Sequence, residues 1–285
     1  MPERHVGDPR HRREHDGGID LVGANPQASC RRSHASIVRD TSNGFGADPN
    51  TCLIVKTTFS KVSWGSSSWK GIRVEIDHVV LAARSKADAE KELKRAGLGI
   101  ARGRVIPGLG LSNLVVPLRR GQCLEVHYPN GESPAPGAPP LLQFDMEALD
   151  THPSAAMVPM AWLVVIEDES RLRDLAAAGD EPVHEVPAED PGYPSYLLAG
   201  FGANFDRRWL PVLIHWPEGT AALSAAHQRQ PVGIARIEVA GPAEDIQRWC
   251  GGEPHGLRTL PGSAGPLRVV IGFADGTTHT LGLTD

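Results

Sequence analysis

The chain has 285 residues, 40% of them hydrophobic, 5% aromatic and 22% charged, with a net charge of −5. That length admits one large domain or two ordinary ones around a sizeable core. The acidic balance gives no basic footprint for nucleic acid or for a membrane surface, and no apolar run nears the roughly 20 residues of a membrane span. The start lacks the apolar centre of a signal peptide. The 31 Gly and 24 Pro residues suit a loop-rich α+β protein better than a helical bundle. None of the four cysteines, Cys30, Cys52, Cys123 and Cys250, forms a CxxC pair. The expectation is reduced thiols in a cytoplasmic protein, without a cysteine zinc site.

Residues 1–70 are polar, with "MPERHVGDPRHRREHDGG" at the start and the small-residue stretch "WGSSSWKG" near the end. They read as a disordered or poorly packed N-terminal extension. Its histidines (His5, His11, His15) are a loose metal-binding option against a plain solvated tail. The ordered part, 71–285, opens with "VEIDHVVLAA", a β-branched run expected to be a buried strand. "SKADAEKELKRAGLG" follows as a helix capped by Ser85 and stopped by Gly97 or Gly99. Then come a short strand, a Gly-rich loop, the strand "SNLVVPL", a turn at "RRGQ" and the strand "CLEVHY". "ESPAPGAPP" reads as a spacer.

The order then returns. "MAWLVVIEDESRLRDLAAAGDEP" is strand then helix, with Asp168 or Ser170 as the cap, and "SYLLAGFG" and "RWLPVLIHWP" are closing strands. A further strand and helix follow in "GIARIEVAGPAEDIQRWCGG", then a hairpin turning at "DG" in "LRVVIGFADGTTHTLGL". "HYPNG" and "HWPEG" end the first and second units. Three βαβββ-like units are therefore expected, over about 72–130, 158–220 and 232–285, a period too long for a solenoid.

The stretch "IDHVVLAARSKADAEKELKRAGL" resembles the first strand and helix of glyoxalase-like proteins of the vicinal oxygen chelate superfamily. "PGLGLSNLVVPLRRGQCLEVHYP" and "LPVLIHWPEG" are similar to later segments of the same group, so that the likeness runs over roughly 72–283. It implies paired βαβββ modules curled into a half-open barrel around a cavity. It also implies that a His on the first strand and a Glu on the last strand of a module hold a divalent metal ion. Carried over, these are His78 and Glu125, with two further ligands from the partner module. Relatives also pair modules between chains, which leaves a homodimer open.

The residues themselves allow alternatives. A His and a carboxylate suit a divalent ion that grips two neighbouring substrate oxygens. Strict alternation puts His78 with Val80 and opposite Asp77, and an ordinary core histidine is the competing reading. Glu125 in an apolar strand is costly unless it is paired or ligating. It shares a face with His127, so the two form a site or face solvent from an edge. His215 is read as a third ligand or a proton carrier, against a packed or surface histidine. The ligand set is incomplete, because Trp162 and Leu213 stand where the second module should answer His78 and Glu125. Ile106 stands where some relatives have a His. Trp209, Trp216, Tyr193, Tyr196 and Phe205 line an apolar pocket or fill a core. The Gly-rich loop does not join a strand to a helix as a dinucleotide site does, and Ser112 has no nucleophile elbow. Two functions follow: a metal-dependent lyase, isomerase or dioxygenase acting on a small vicinal-oxygen substrate, or a non-catalytic module that binds or sequesters a small-molecule ligand.

Overall fold

The computed structural model describes residues 73–188, 194–220 and 223–283. The extension expected over 1–70 lies outside them, as does Tyr193. Strand β1 (Arg73–Ala83) leads into helix α1 (Lys86–Arg95), then β2 (Arg102–Ile106), β3 (Leu111–Pro117) and β4 (Cys123–Pro129). Helix α2 (Leu141–Thr151) links this unit to β5 (Met157–Val165), α3 (Glu169–Ala178), β6 (Val183–Val186), β7 (Tyr196–Ala199), α4 (Phe201–Asp206) and β8 (Val212–His215).

The strands form one curled sheet in the order β2-β3-β4-β1-β5-β8-β7-β6. Each half runs second, third, fourth, first strand outward to inward, and the two first strands meet antiparallel. One chain thus supplies both modules of the half-open barrel, and the α+β expectation holds. Ser85 accepts the backbone N–H of Asp88, and Asp168, not Ser170, caps α3 by accepting from Ser170 and Arg171. Each such cap stabilises its helix by roughly 1 kcal/mol.

The near-continuous apolar run of β1 reflects burial on both faces. On one face Val79, Leu81, Leu124, Trp162, Val164 and Leu213 pack under the helices. On the other, Val80, Met160, Leu163, Val212 and Ile214 border a cavity and meet α2. The remaining residues give β9 (Pro231–Ala240), α5 (Ala243–Cys250), the two-residue β10 (Glu253–Pro254), β11 (Leu257–Leu260), β12 (Gly265–Phe273) and β13 (Thr278–Gly282). β10 pairs with β1, and the others form a second sheet ordered β11-β9-β12-β13. Its first strand is internal, where the first two units keep theirs at the module edge. The second sheet grips the first unit pair through Trp249 on α5. Its ring lies where any Cβ on Gly179 or Gly200 would sit, at 2.4 and 2.5 Å, and its indole N–H donates to the Pro211 carbonyl at 2.8 Å. Cys123 and Cys250 are free thiols.

Candidate functional site

The pairing of β1 with β5 slips between Ile76 and His78, so Asp77 is an extra residue with no partner across the ladder. Such a bulge breaks the two-residue alternation and re-aims a side chain. Strict alternation predicts Asp77 and His78 on opposite faces. Instead both line the same cavity, because the bulge turns Asp77 inward. The disturbed backbone is compensated by Gln122, whose amide donates to the Ile76 carbonyl and accepts from the Ile234 N–H, both at 2.8 Å.

From this bulge a line of polar groups runs across the cavity wall. The Trp216 indole N–H donates to Asp77 Oδ2 at 2.7 Å. Asp77 Oδ1 lies 2.5 Å from His78 Nδ1. His78 Nε2 faces Glu125 Oε2 at 3.6 Å, and Glu125 Oε1 lies 3.4 Å from His127 Nε2. His127 Nδ1 is 3.4 Å from Asp145 Oδ2 on α2. That last contact is an ion pair without hydrogen-bond geometry, since both atoms are buried and have no hydrogen-bond partner. Glu125 also accepts from the Asn113 amide at 2.6 Å.

Burial by itself would neutralise these groups. It is the largest influence on His78 and pulls its pKa down, yet the hydrogen bond and charge of Asp77, aided by Glu125, raise it above 6.5 overall. Burial likewise opposes charge on His127, but Asp145 and Glu125 on either side lift it to about 10. Glu125 is held well below the usual carboxylate range. Burial pushes it up, and His127, His78 and Asn113 together outweigh that. At neutral pH the line therefore alternates in sign: Glu125 negative, His127 positive.

The cavity beside it encloses about 680 Å³, within the usual range for small-molecule sites. Its two halves differ chemically. The first module contributes the line of acids and imidazoles that α2 extends to Asp145, and the second module adds a cation, Arg208 of the α4–β8 loop. The second contributes Met160, Leu163, Val212 and Ile214, with Phe205 from α4. The structure thus brings His78 and Glu125 together with His127, which shares the face of Glu125 as expected, but it does not bring His215 to them. Ile214 faces the cavity, so alternation turns His215 away. His215 lies with Glu169, Glu185 and Glu218 in a separate surface depression, its Nδ1 2.9 Å from the Ile166 carbonyl. The echo of "HYPNG" in "HWPEG" marks corresponding strands but not corresponding side chains: His127 faces the cavity from the first, Trp216 from the second. Tyr196 and Phe205 also line the cavity, and the Tyr196 and Trp216 rings lie 4.9 Å apart.

A divalent ion does not fit this donor set as arranged. Among the described residues no three His, Cys, Asp or Glu side chains are disposed to hold one. His78 Nδ1 and both nitrogens of His127 already face carboxylates at 3.4 Å or less. The facing wall, where further ligands are needed, is aliphatic. Asp77 and Asp145 were missed in the sequence, the first because a bulge is invisible to alternation. The second lies on α2, whose apolar residues form no clean stripe after the Pro-rich spacer.

A family model described as a glyoxalase-like domain matches residues 76–251. No curated protein matches the chain. Solved structures similar to it include methylmalonyl-CoA epimerase from Mycobacterium tuberculosis, at 12% identity and a TM-score of 0.33, covering 53% of this chain and 87% of that one. Streptomyces coelicolor methylmalonyl-CoA epimerase in complex with 2-nitronate-propionyl-CoA gives 13% and 0.34, covering 49% and 95%. A hypothetical protein from Staphylococcus aureus gives 9% and 0.43, covering 73% and 98%.

Proposed function

The chain belongs to the glyoxalase-like domain family, and from that premise we propose that its cavity binds a compact organic molecule and exchanges a proton with it through His78. The observation that carries this reading is the oriented imidazole. Nδ1 is held by Asp77 at 2.5 Å, while Nε2 meets only a loose 3.6 Å contact at the cavity wall. A carboxylate on one nitrogen fixes the ring and raises its basicity, which is the arrangement a general acid–base requires. Trp216 in turn fixes Asp77. His127, protonated beside Glu125, supplies positive charge next to any oxyanion that forms on the ligand. The reaction class is proton transfer next to a carbonyl, as in an isomerase or lyase. His78 and Glu125, expected as metal ligands, are here the proton carrier and the anion that keeps His127 charged.

Sequestration without turnover is the second reading, favoured by the aliphatic wall of the second module. Incubation in deuterium oxide with a panel of small carbonyl compounds bearing α-hydrogens separates the two. Wild type is expected to exchange at least one α-hydrogen, followed by proton NMR, and His78→Gln to lose that exchange while still binding the compound. Binding with no exchange in the wild type would leave sequestration as the function.

A further inference from the structure

The cavity wall carries a cation that the polar line does not use. Arg208, in the loop between α4 and β8, lines the cavity half-buried. Its Nη2 donates to the Met160 carbonyl at 2.8 Å, and its guanidinium lies 5.7 Å from the Phe144 ring centroid. A guanidinium has five N–H donors, and this hydrogen bond engages one of them. Among the described residues no carboxylate stands within ion-pair distance of it. Asp145 acts on it only through longer-range attraction, and burial opposes its charge. Arg102 and Arg104 also reach the cavity, from the edge strand β2, but each has an interaction of its own.

The backbone beneath Arg208 is fixed from behind. A Cβ on Gly265 of β12 would meet the Arg208 carbonyl oxygen at 2.7 Å, and one on Gly241 would meet the Trp209 Cβ at 2.3 Å. Asn204 donates to the Leu210 carbonyl at 2.7 Å. The second sheet therefore fixes the loop backbone, and the Met160 carbonyl holds the guanidinium at the cavity wall. A held, partly desolvated fork with donors to spare is a receptor for a planar anion.

We propose that Arg208 is the anion-binding residue of the cavity and that the ligand is a small monocarboxylate, its carboxylate on Arg208 and its apolar body against Met160, Leu163 and Ile214. This rests on the reading of the cavity as a small-molecule site and narrows its substrate class. It does not depend on proton transfer by His78. The second sheet, which contributes no strand to the barrel, then serves to hold a specificity residue of the barrel in place.

Calorimetric titration of the full chain with hexanoate and phenylacetate, and with hexanamide and phenylacetamide as neutral counterparts, tests it. The acids are expected to bind about 10- to 150-fold more tightly than the amides, the range for hydrogen bonds to a charged group. Arg208→Gln is expected to lower acid affinity to the amide level without changing amide affinity, and Arg208→Lys to recover part of the difference. Circular dichroism and melting of each variant confirm folding. Equal binding of acids and amides to wild type, or acid binding that survives Arg208→Gln, overturns the assignment. So does an absence of acid binding to wild type. Deuterium exchange on a neutral compound in that case would leave the proton-transfer reading standing, whereas acid binding with no exchange on any compound of the carbonyl panel would remove that reading and keep this one.

Discussion

Replacing Asp77 by Asn tests the electrostatic logic of the site at its tightest contact. The two side chains have nearly the same shape, and an Asn oxygen can still accept the Trp216 indole N–H now given to Asp77 at 2.7 Å. What changes is the partner of His78 Nδ1. The carboxylate at 2.5 Å becomes an amide, whose N–H₂ donates to an unprotonated Nδ1 and so favours the neutral ring. A hydrogen bond to a charged group in a buried site is worth about 1.5–3 kcal/mol. At 1.36 kcal/mol per decade the protonation equilibrium of His78 shifts about 10- to 150-fold toward neutral. Burial, the largest influence on the wild-type ring, then prevails. The sign of the pH dependence follows. In wild type the folded His78 titrates above 6.5, so its stabilisation is complete below that value and is lost as pH rises through the folded pKa. In Asp77→Asn the folded ring titrates below its unfolded value, and the variant loses stability as pH falls through it. Long-range ¹H–¹⁵N correlation spectra of the imidazoles, titrated from about pH 5 to 9, read the change directly. A variant whose His78 still titrates above 6.5 would refute the reasoning.

Three further outcomes are expected. His127, raised to about 10, stabilises the fold fully below 6.5 and progressively less as pH rises toward 10, by a few kcal/mol and at most ~5; urea unfolding across that window should show the decline in wild type but a much flatter curve in Asp145→Asn, and parallel curves would contradict the ion pair. Gly200→Ala should cost about 2–5 kcal/mol, because φ is +92 and the added Cβ would meet Trp249 Cζ2 at 2.5 Å, combining left-handed strain with overpacking; a melting temperature within a degree or so of wild type would mean Trp249 does not hold α4. After exposure to manganese, nickel or zinc and removal of excess metal, elemental analysis should find no stoichiometric ion dependent on His78; one equivalent bound by wild type and lost in both His78→Ala and Glu125→Ala would replace the proton-transfer reading with a metal centre.

The sequence carried the strand–helix rhythm well, because buried strands such as Val79–Ala83 and capped helices such as the one begun at Ser85 write their periods locally. The pairing of His78 with Glu125 was expected from the family resemblance alone, and the parallel register of β1 and β4 places them two positions apart. What was not legible has a common physical cause. Asp77 depends on a bulge set by how β1 meets β5, 80 or more residues later in the chain. Asp145 depends on α2 docking against the cavity, and Arg208 on a loop whose path is set by Gly241, just after β9, and Gly265 of β12. Each is decided by contacts between distant segments, and composition over a short window contains no trace of them. The third unit shows the same limit. Its opening strand and helix match the first two, but its pairing differs, because element order does not fix which strand becomes central.

The asymmetry between the two modules explains why the incomplete ligand set is compatible with a working site. A barrel built from two similar halves could place equivalent donors on both, and a metal between them would then join the halves. Here Leu163 and Ile214 stand on the second wall, so no ion can be shared across the cavity. The first module must balance its own charges within one wall. Alternating acid and imidazole from Asp77 to Asp145 does so, and two elements outside the module's sheet, Trp216 and α2, close the line at its ends. The aliphatic wall is then free to seat the apolar body of a ligand while excluding water, which strengthens each charge opposite it. The aliphatic patch of Met160, Leu163 and Ile214 beside the guanidinium of Arg208 orients a ligand that has both an apolar and a charged end. Arg208, a cation placed outside the balanced line, is the group left to decide which polar end that ligand carries.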